Sequence, residues 1–191
     1  MKRPGRLAPL PPIGLNNRVR RAFWQIAWTV LYRPSPIVAH RWRCFVLRAF
    51  GARIAWPVYP YPSARIWAPW NLEMQRGSCL AAEVDCYNVD RISIGTGVTV
   101  SQKSYLCTAS HDFDNPTFAL TGGPITIEGG AWVAANAFIG PGVRVGARAV
   151  VLACAVVVRD VDAGMVVGGN PARLLRPRGE FETQTQRQRT E

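Results

Sequence analysis

His111 is the residue of this 191-residue chain that is best suited to acid–base chemistry. A neutral imidazole accepts a proton near pH 7, as a general base must. His111 stands immediately before residues 112–126, a segment that interrupts a regular repeat and contains Asn115, Gly122 and Gly123. Loops held by a rigid scaffold often carry functional residues. The position alone is equally consistent with a catalytic base and with a surface histidine at a turn.

The element that must position His111 is a repeat of six residues. From Ile127 to Asp162, the first place of each hexad is aliphatic and the fifth place is Ala or Val. This spacing suits a short strand followed by a tight corner, so three hexads close one triangular coil that buries its apolar face by stacking on its neighbours. The repeat therefore predicts an all-β solenoid, a parallel β-helix. Five coils are expected, at 54–71, 72–89, 94–111, 127–144 and 145–162, with Pro60 and Ser78 as irregular positions.

A helical segment is expected before the solenoid. Asn16 or Asn17 is the candidate N-cap of a first helix that ends before Pro34, and Gly51 is the candidate stop of a second helix. The apolar residues at helical spacing in the first helix are Val19, Phe23, Ile26, Val30 and Leu31. This segment suits a cap over the open first coil, and its Trp and Arg content is also typical of a helix at a membrane interface. The predicted organisation is a flexible N-terminus (1–15), a basic helical cap (16–53), the β-helix (54–175) with its extruded loop (112–126), and a flexible tail (176–191).

The net charge of +11 comes mainly from arginines at 18–53 and 159–178. Nucleic acid is disfavoured as a partner, because the repeat offers no groove-reading helix and no aromatic platform motif. An anionic cofactor at one end of the solenoid and a membrane surface at the other, through residues 16–50, fit the charge better. No run of 18 apolar residues and no signal-peptide pattern is present, and the five cysteines show no metal-type pairing. These features predict a cytoplasmic protein that is peripheral at the inner face of the plasma membrane.

Five motifs make the chain from Ile66 to Arg178, about two thirds of its length, similar to known enzymes. They are Arg65–Leu72 (RIWAPWNL), Val84–Asn88 (VDCYN), Ser101–Asp112 (SQKSYLCTASHD), Ala131–Ala135 (AWVAA) and Gly168–Arg173 (GGNPAR). With the hexads, these motifs resemble the hexapeptide-repeat acyltransferases, in particular the colanic-acid biosynthesis O-acetyltransferases, which are related to the maltose, galactoside and nodulation acetyltransferases. The resemblance implies a left-handed β-helix and a homotrimer whose active sites lie between subunits.

The resemblance also implies a role for individual residues. His111 matches the family's base, which takes the proton of a sugar hydroxyl while that oxygen attacks the thioester of acetyl-CoA in a direct transfer. The acceptor-binding residues it implies are Asp85, Asn88 and Asp112. The residues it implies for acetyl-CoA are Trp132, Ala153, Arg159 and Arg173.

The predicted function is acetyl-CoA-dependent O-acetylation of a sugar hydroxyl in an exopolysaccharide, lipopolysaccharide or lipid-linked oligosaccharide precursor. Acetylation of a small-molecule acceptor, such as an antibiotic, free sugar or sugar nucleotide, and a non-catalytic structural solenoid are the alternatives. A β-helical carbonic anhydrase is excluded, because its zinc needs three histidines and this chain has only His40 and His111. No metal is therefore expected.

Overall fold

The computed structural model describes residues 7–12 and 14–179, and the predicted flexible ends lie partly outside these ranges. Its body is a parallel β-helix with a triangular section, so each coil contributes one short strand to each of three faces. The first face contains β2 (Arg53–Ile54), β5 (Leu72–Met74), β8 (Ile92–Ile94), β13 (Ile125–Ile127) and β16 (Arg144–Val145). The second face contains β3 (Tyr59–Pro60), β6 (Cys79–Leu80), β9 (Thr99–Val100), β14 (Trp132–Val133), β17 (Val150–Val151), β19 (Met165–Gly168) and β20 (Arg173–Pro177). The third face contains β4 (Arg65–Ile66), β7 (Asp85–Tyr87), β10 (Tyr105–Cys107), β15 (Phe138–Ile139) and β18 (Val156–Val157).

The core of the β-helix consists of inward side chains stacked from coil to coil, as the hexads predict. On the second face, Val100, Val133 and Val151 stand in register and are fully buried. Each aliphatic side chain of this size stabilises the fold by roughly 1.5–3 kcal/mol when it leaves water. The stacking of neighbours is therefore what makes such short strands stable.

The lower coils are longer than the predicted eighteen residues. Ile54, Met74 and Ile94 are stacked in register, which makes these coils twenty residues long. The extra length arises because β5 is a three-residue strand in which both Leu72 and Met74 point inward, as alternate residues of a strand do. The predicted frame of 72–89 was therefore displaced by two residues.

The two positions predicted as irregular are regular parts of the core. Pro60 is buried in register with Leu80, so it occupies an ordinary inward place at the edge of the second face. Ser78 is fully buried at a corner, where its hydroxyl donates to the carbonyl oxygen of Gln75 over 2.6 Å.

Two helices cover the open first coil. Helix α1 spans Leu15–Ala27 and continues into one turn of π-helix, Trp28–Tyr32, and α2 spans His40–Ala49. Helix α1 begins directly after Gly14 without a side-chain cap, so the predicted caps, Asn16 and Asn17, were wrong. Gly51 follows α2 with a φ of +91°, as expected of a helix stop.

The helices are joined to the first coil by buried aromatic side chains. The indole N–H of Trp24 donates to the carbonyl oxygen of Ile66 over 2.6 Å, and that of Trp28 donates to Ala64 over 3.0 Å. Trp24, Trp28 and Tyr32 belong to the same continuous core as the solenoid. The helical segment therefore caps the first coil. No helix in the described part of the chain is both long and apolar enough to cross a membrane.

The last coil is closed by a strand that turns back. After β19 the chain makes a turn at residues 169–172 and returns as β20, which pairs antiparallel with β19. Residues of this turn also cover β18, since the Val156 N–H donates to Gly169 and the Ala172 N–H donates to Val156. Residues 173–177 therefore form a strand where a flexible tail was expected from residue 176.

Candidate active site

His111 lies on a β-hairpin that leaves the solenoid at the corner between the third and first faces. The hairpin consists of β11 (Ala109–His111) and β12 (Leu120–Gly122), and β12 also pairs with an N-terminal strand, β1 (Ala8–Pro9). The extruded segment therefore begins before the predicted boundary of 112–126 and includes His111 itself.

The base of the hairpin is narrow and closely packed. The Gly123 N–H donates to the Thr108 carbonyl oxygen over 3.0 Å, and both the N–H and the hydroxyl of Thr108 bind the Tyr87 carbonyl oxygen, at 3.1 and 2.9 Å. A Cβ atom at Gly122 would lie 2.3 Å from that Thr108 oxygen, so only glycine fits there. The strand that carries His111 is thus fixed to the coil that carries Asp85.

The imidazole of His111 is oriented by Phe118 on the other side of the hairpin loop. Its Nδ1 lies 2.9 Å from the Phe118 carbonyl oxygen, and its ring stacks on the Phe118 ring at 4.3 Å between centroids and 9° between planes. A carbonyl oxygen can only accept a hydrogen bond, so Nδ1 carries the hydrogen of the neutral ring. In this tautomer Nε2 carries no hydrogen. Because His111 is exposed, Nε2 can accept a proton from a bound molecule.

Asp112 and the turn that follows shape the loop. The Asp112 carboxylate accepts the Asp114 N–H at 3.2 Å, and the Asp112 N–H donates to the Ala119 carbonyl oxygen at 2.9 Å. The Phe118 N–H donates to Asn115 at 2.8 Å, and Phe118 has a φ of +47°. Asp112 therefore helps to place the Phe118 carbonyl group against His111.

Asp85 lies on the outer surface of the third face, between Arg65 and Tyr105 of the neighbouring coils. Burial raises the pKa of this carboxyl group, and the nearby Arg65 guanidinium partly offsets that rise. With Arg21, Trp67 and other residues, Asp85 lines a cavity of about 260 Å³ between α1 and the third face. This predicted acceptor residue thus lies in a hollow of suitable size and polarity for part of a small polar ligand.

Asn88 does not face this cavity. Its side chain is fully buried, its Oδ1 accepts the Ala68 N–H at 2.9 Å, and its Nδ2 donates to the Ala68 carbonyl oxygen at 2.6 Å. Both ends of the amide are therefore used inside the corner of the coil. The prediction that Asn88 binds the acceptor is contradicted by this geometry.

Three of the four residues predicted to bind acetyl-CoA follow the second face of the upper coils. Trp132 is 44% exposed and its indole N–H donates to the Ser101 hydroxyl over 2.9 Å. Ala153 lies at the exposed corner that follows β17, and Arg173 opens β20 beside Gly168. Arg159 lies elsewhere, at the corner between the third and first faces that also carries the hairpin. Within one chain, Arg159 therefore shares a corner with His111, whereas Trp132, Ala153 and Arg173 lie along or beside the second face.

Several residues of the site were missed by the sequence interpretation. Phe118 acts through a backbone carbonyl group, and Arg21 reaches the cavity by stacking on Trp67, with its guanidinium carbon 3.8 Å from the ring centroid. Neither arrangement has a sequence signal. Within the described ranges, no three His, Cys, Asp or Glu side chains are grouped as a metal site.

Comparison with known proteins identifies the family. No family model matches the chain. A relative in Escherichia coli (strain K12), named for colanic acid biosynthesis as the acetyltransferase WcaF, is 38% identical over 167 residues, which cover 87% of this chain and 92% of the relative.

Solved structures show the same fold. A maltose O-acetyltransferase from Clostridium difficile 630 has a TM-score of 0.80 and 21% identity, with 91% of this chain and 94% of the other covered. A hexapeptide-repeat acetyltransferase from Vibrio cholerae O1 biovar eltor, solved with acetyl coenzyme A, has a TM-score of 0.77 and 25% identity, with 90% and 93% covered. These likenesses confirm the predicted left-handed parallel β-helix. The chain belongs to the hexapeptide-repeat acetyltransferases and is an acyltransferase.

Proposed function

We propose that this enzyme transfers the acetyl group of acetyl-CoA to a hydroxyl group of a sugar, with His111 as the general base. The observation that carries the proposal is the contact of 2.9 Å between His111 Nδ1 and the Phe118 carbonyl oxygen. It fixes the tautomer in which Nε2 is the proton acceptor. A solvent-exposed histidine without a catalytic task would gain little from two such contacts to one residue.

The reaction is a direct transfer. The acceptor hydroxyl donates its proton to Nε2 of His111 while its oxygen attacks the thioester carbonyl carbon, and a tetrahedral intermediate forms. The carbon–sulfur bond then breaks, and the imidazolium returns the proton to the leaving thiolate. The products are an acetyl ester and the free thiol of CoA. General-base assistance of this kind is typically worth about 10² to 10⁴ in rate.

The donor is proposed to bind along the upper second face, beside Trp132 and Ala153, with Arg173 and Arg159 directed at its phosphates. Guanidinium groups suit phosphate because they make paired, charge-assisted hydrogen bonds. Within one chain Arg159 and Arg173 lie on different corners. A homotrimer brings the corner of one subunit against a face of the next, and we propose that each site forms there.

The acceptor is proposed to be a sugar of a polysaccharide or lipid-linked oligosaccharide precursor. The similarity to the relative named for colanic acid biosynthesis supports this class. The cavity beside Asp85 combines a carboxylate, a guanidinium group and aromatic rings, which can bind the hydroxyl groups and the apolar faces of a sugar. We place the reaction in the cytoplasm, consistent with five cysteines that are all free in the structure.

The test is the rate of CoA release with sugar acceptors, together with detection of the O-acetyl product. We expect His111→Gln to lower turnover by about 10² to 10⁴ while acetyl-CoA binding is kept. His40→Gln is the matched control, because the other histidine lies in the cap, 3.2 Å from the Pro60 carbonyl oxygen. Turnover of His111→Gln within a few-fold of the wild type would refute the mechanism.

A further inference from the structure

One side of α1 is a continuous apolar surface exposed to solvent. Leu15, Val19, Phe23, Ile26 and Val30 are spaced by three or four residues and therefore share one side of the helix. Their exposed fractions are between 45% and 77%. The opposite side of the helix carries the buried Trp24, Ala27 and Trp28 that hold the cap on the solenoid. The outward side therefore lies away from the contacts that hold the cap on the solenoid.

Helix α2 continues this surface. The exposed side chains of Trp42 and Phe45 are on its outward side, with their rings 5.8 Å apart, and Val38, in the turn before α2, is exposed as well. The indole N–H of Trp42 donates to the carbonyl oxygen of Leu31, at the end of the first helical segment, over 2.8 Å. We call the outward apolar residues of both helices the cap surface: Leu15, Val19, Phe23, Ile26, Val30, Leu31, Val38, Trp42 and Phe45.

The electric charge of the cap has one sign. Residues 1–72 contain twelve Lys or Arg and no Asp or Glu, and Glu73 is the first acid of the chain. This part carries +12, whereas the remaining 119 residues carry eleven bases and twelve acids and are nearly neutral. Arg18, Arg33 and Arg41 are exposed next to the cap surface. Residues 14–72, which form the cap and the first coil, contain nine arginines and no acid, so the cap surface is bordered by positive charge alone.

An apolar surface bordered by arginines and aromatic rings has the character of a helix that lies in the headgroup region of an anionic bilayer. A second copy of this surface would bring two sets of arginines together without a carboxylate in either cap to pair with them, and such like-charge contacts are unfavourable. We propose that the cap surface docks the enzyme on an anionic lipid bilayer, with α1 and α2 lying in the plane of the interface.

This docking would place the acceptor cavity close to the lipid. Gln25 of α1 and Thr29 of the π-helical turn line a second hollow of about 740 Å³, which shares Arg65 and Asp85 with the acceptor cavity. A sugar carried by a membrane lipid could then enter from the edge of the cap. This consequence rests on the proposed function, whereas the docking itself does not.

The experiment is co-sedimentation of the purified protein with vesicles of phosphatidylglycerol and phosphatidylethanolamine, compared with vesicles of phosphatidylcholine alone. We expect binding to the anionic vesicles that weakens as salt is raised. The variant Phe23→Gln/Ile26→Gln/Val30→Gln should bind about a hundredfold more weakly. Arg18→Gln, Arg33→Gln and Arg41→Gln should each weaken binding about fivefold.

The matched controls are Phe113→Gln and Val158→Gln, since both side chains are exposed and lie outside the cap, with Phe113 81% exposed. They should sediment like the wild type. The proposal is overturned if the triple variant binds as well as the wild type, or if neutral and anionic vesicles bind equally. It is also overturned if the wild type stays in the supernatant while light scattering shows that the triple variant has lost a self-association. None of these readouts depends on acetyl transfer, so the proposed function is tested separately.

Discussion

Replacing Gly122 by alanine should displace His111, the proposed general base, without changing the histidine itself. The added Cβ would lie 2.3 Å from the Thr108 carbonyl oxygen and 2.6 Å from Leu10 Cδ1. The Leu10 side chain can rotate, but the Thr108 carbonyl group is held by the Gly123 N–H at 3.0 Å. Ordinary contact begins near 3.4 Å. The two hairpin strands must therefore separate by about 1 Å at their base, where Gly122 lies opposite Ala109, two residues before His111.

The size of the effect follows from that displacement. A shift of about 1 Å in a catalytic group can cost about 10²-fold in rate, and strain from overpacking typically costs about 1–3 kcal/mol in stability. We therefore expect Gly122→Ala to lower kcat by ten- to a hundredfold, with a lower melting temperature. The KM for acetyl-CoA should change little, because the proposed donor residues Trp132 and Ala153 lie on another face, and Arg159 follows β18, two strands away from β10 at the base of the hairpin.

Initial rates of CoA release and thermal unfolding measure both effects. Gly129→Ala is the control, since its added Cβ would meet the Thr96 carbonyl oxygen at an ordinary 3.5 Å. We expect wild-type turnover from this control. If Gly122→Ala were as active as the wild type, the rigid base of the hairpin would have no part in positioning His111.

Three further predictions concern the donor, the acceptor and the assembly. Arg173→Ala and Arg159→Ala should each raise the KM for acetyl-CoA about ten- to a hundredfold, and a pantetheine thioester without the nucleotide should show a much smaller penalty; equal penalties with both donors would mean a structural role. Because burial raises the pKa of Asp85 in the folded state, the charged carboxylate destabilises the fold at neutral pH. Asp85→Asn should therefore raise the melting temperature at pH 7, and it should also raise the KM for the acceptor. The gain in stability should disappear as the pH falls through the folded-state pKa of Asp85, because the wild-type carboxyl group then becomes neutral. An unchanged melting temperature at pH 7 would contradict this. Light scattering should show a trimer at micromolar concentration, and a fully active monomer would disprove a site between subunits.

The fold could be predicted from the sequence where the pattern of apolar residues is compatible with only one register of the coils. The hexads from Ile127 to Asp162 gave the right register because every first place is filled by Val or Ile and every fifth place by Ala or Val, and all of these residues are buried. Further upstream, Leu72 is followed by a second inward residue, Met74, and this extra inward residue displaced the predicted frame by two residues. The cap was predicted as two helices, but helical spacing alone did not show that the apolar side of α1 is the exposed side.

The candidate site divides in a similar way. His111 could be proposed from its type and from its place before an interruption of the repeat. Its partner is the carbonyl group of Phe118, seven residues away, and every residue type has such a group, so the sequence contained no signal for it. Asn88 was carried over from a motif that does not reveal which side of the coil a residue faces. Burial, which only the structure shows, removed it from the acceptor site.

The returning strand β20 affects how copies of the molecule can meet. A stack of parallel strands ends in unpaired backbone groups, and these can template the addition of another chain end to end. Here β20 runs in the opposite direction along β19, and the turn at residues 169–172 occupies the upper edge of β18. A further coil could not continue the parallel pairing of either face. The strand β20 and the turn before it therefore block the addition of further coils to the solenoid. This favours a closed assembly of side-by-side copies over a growing fibre.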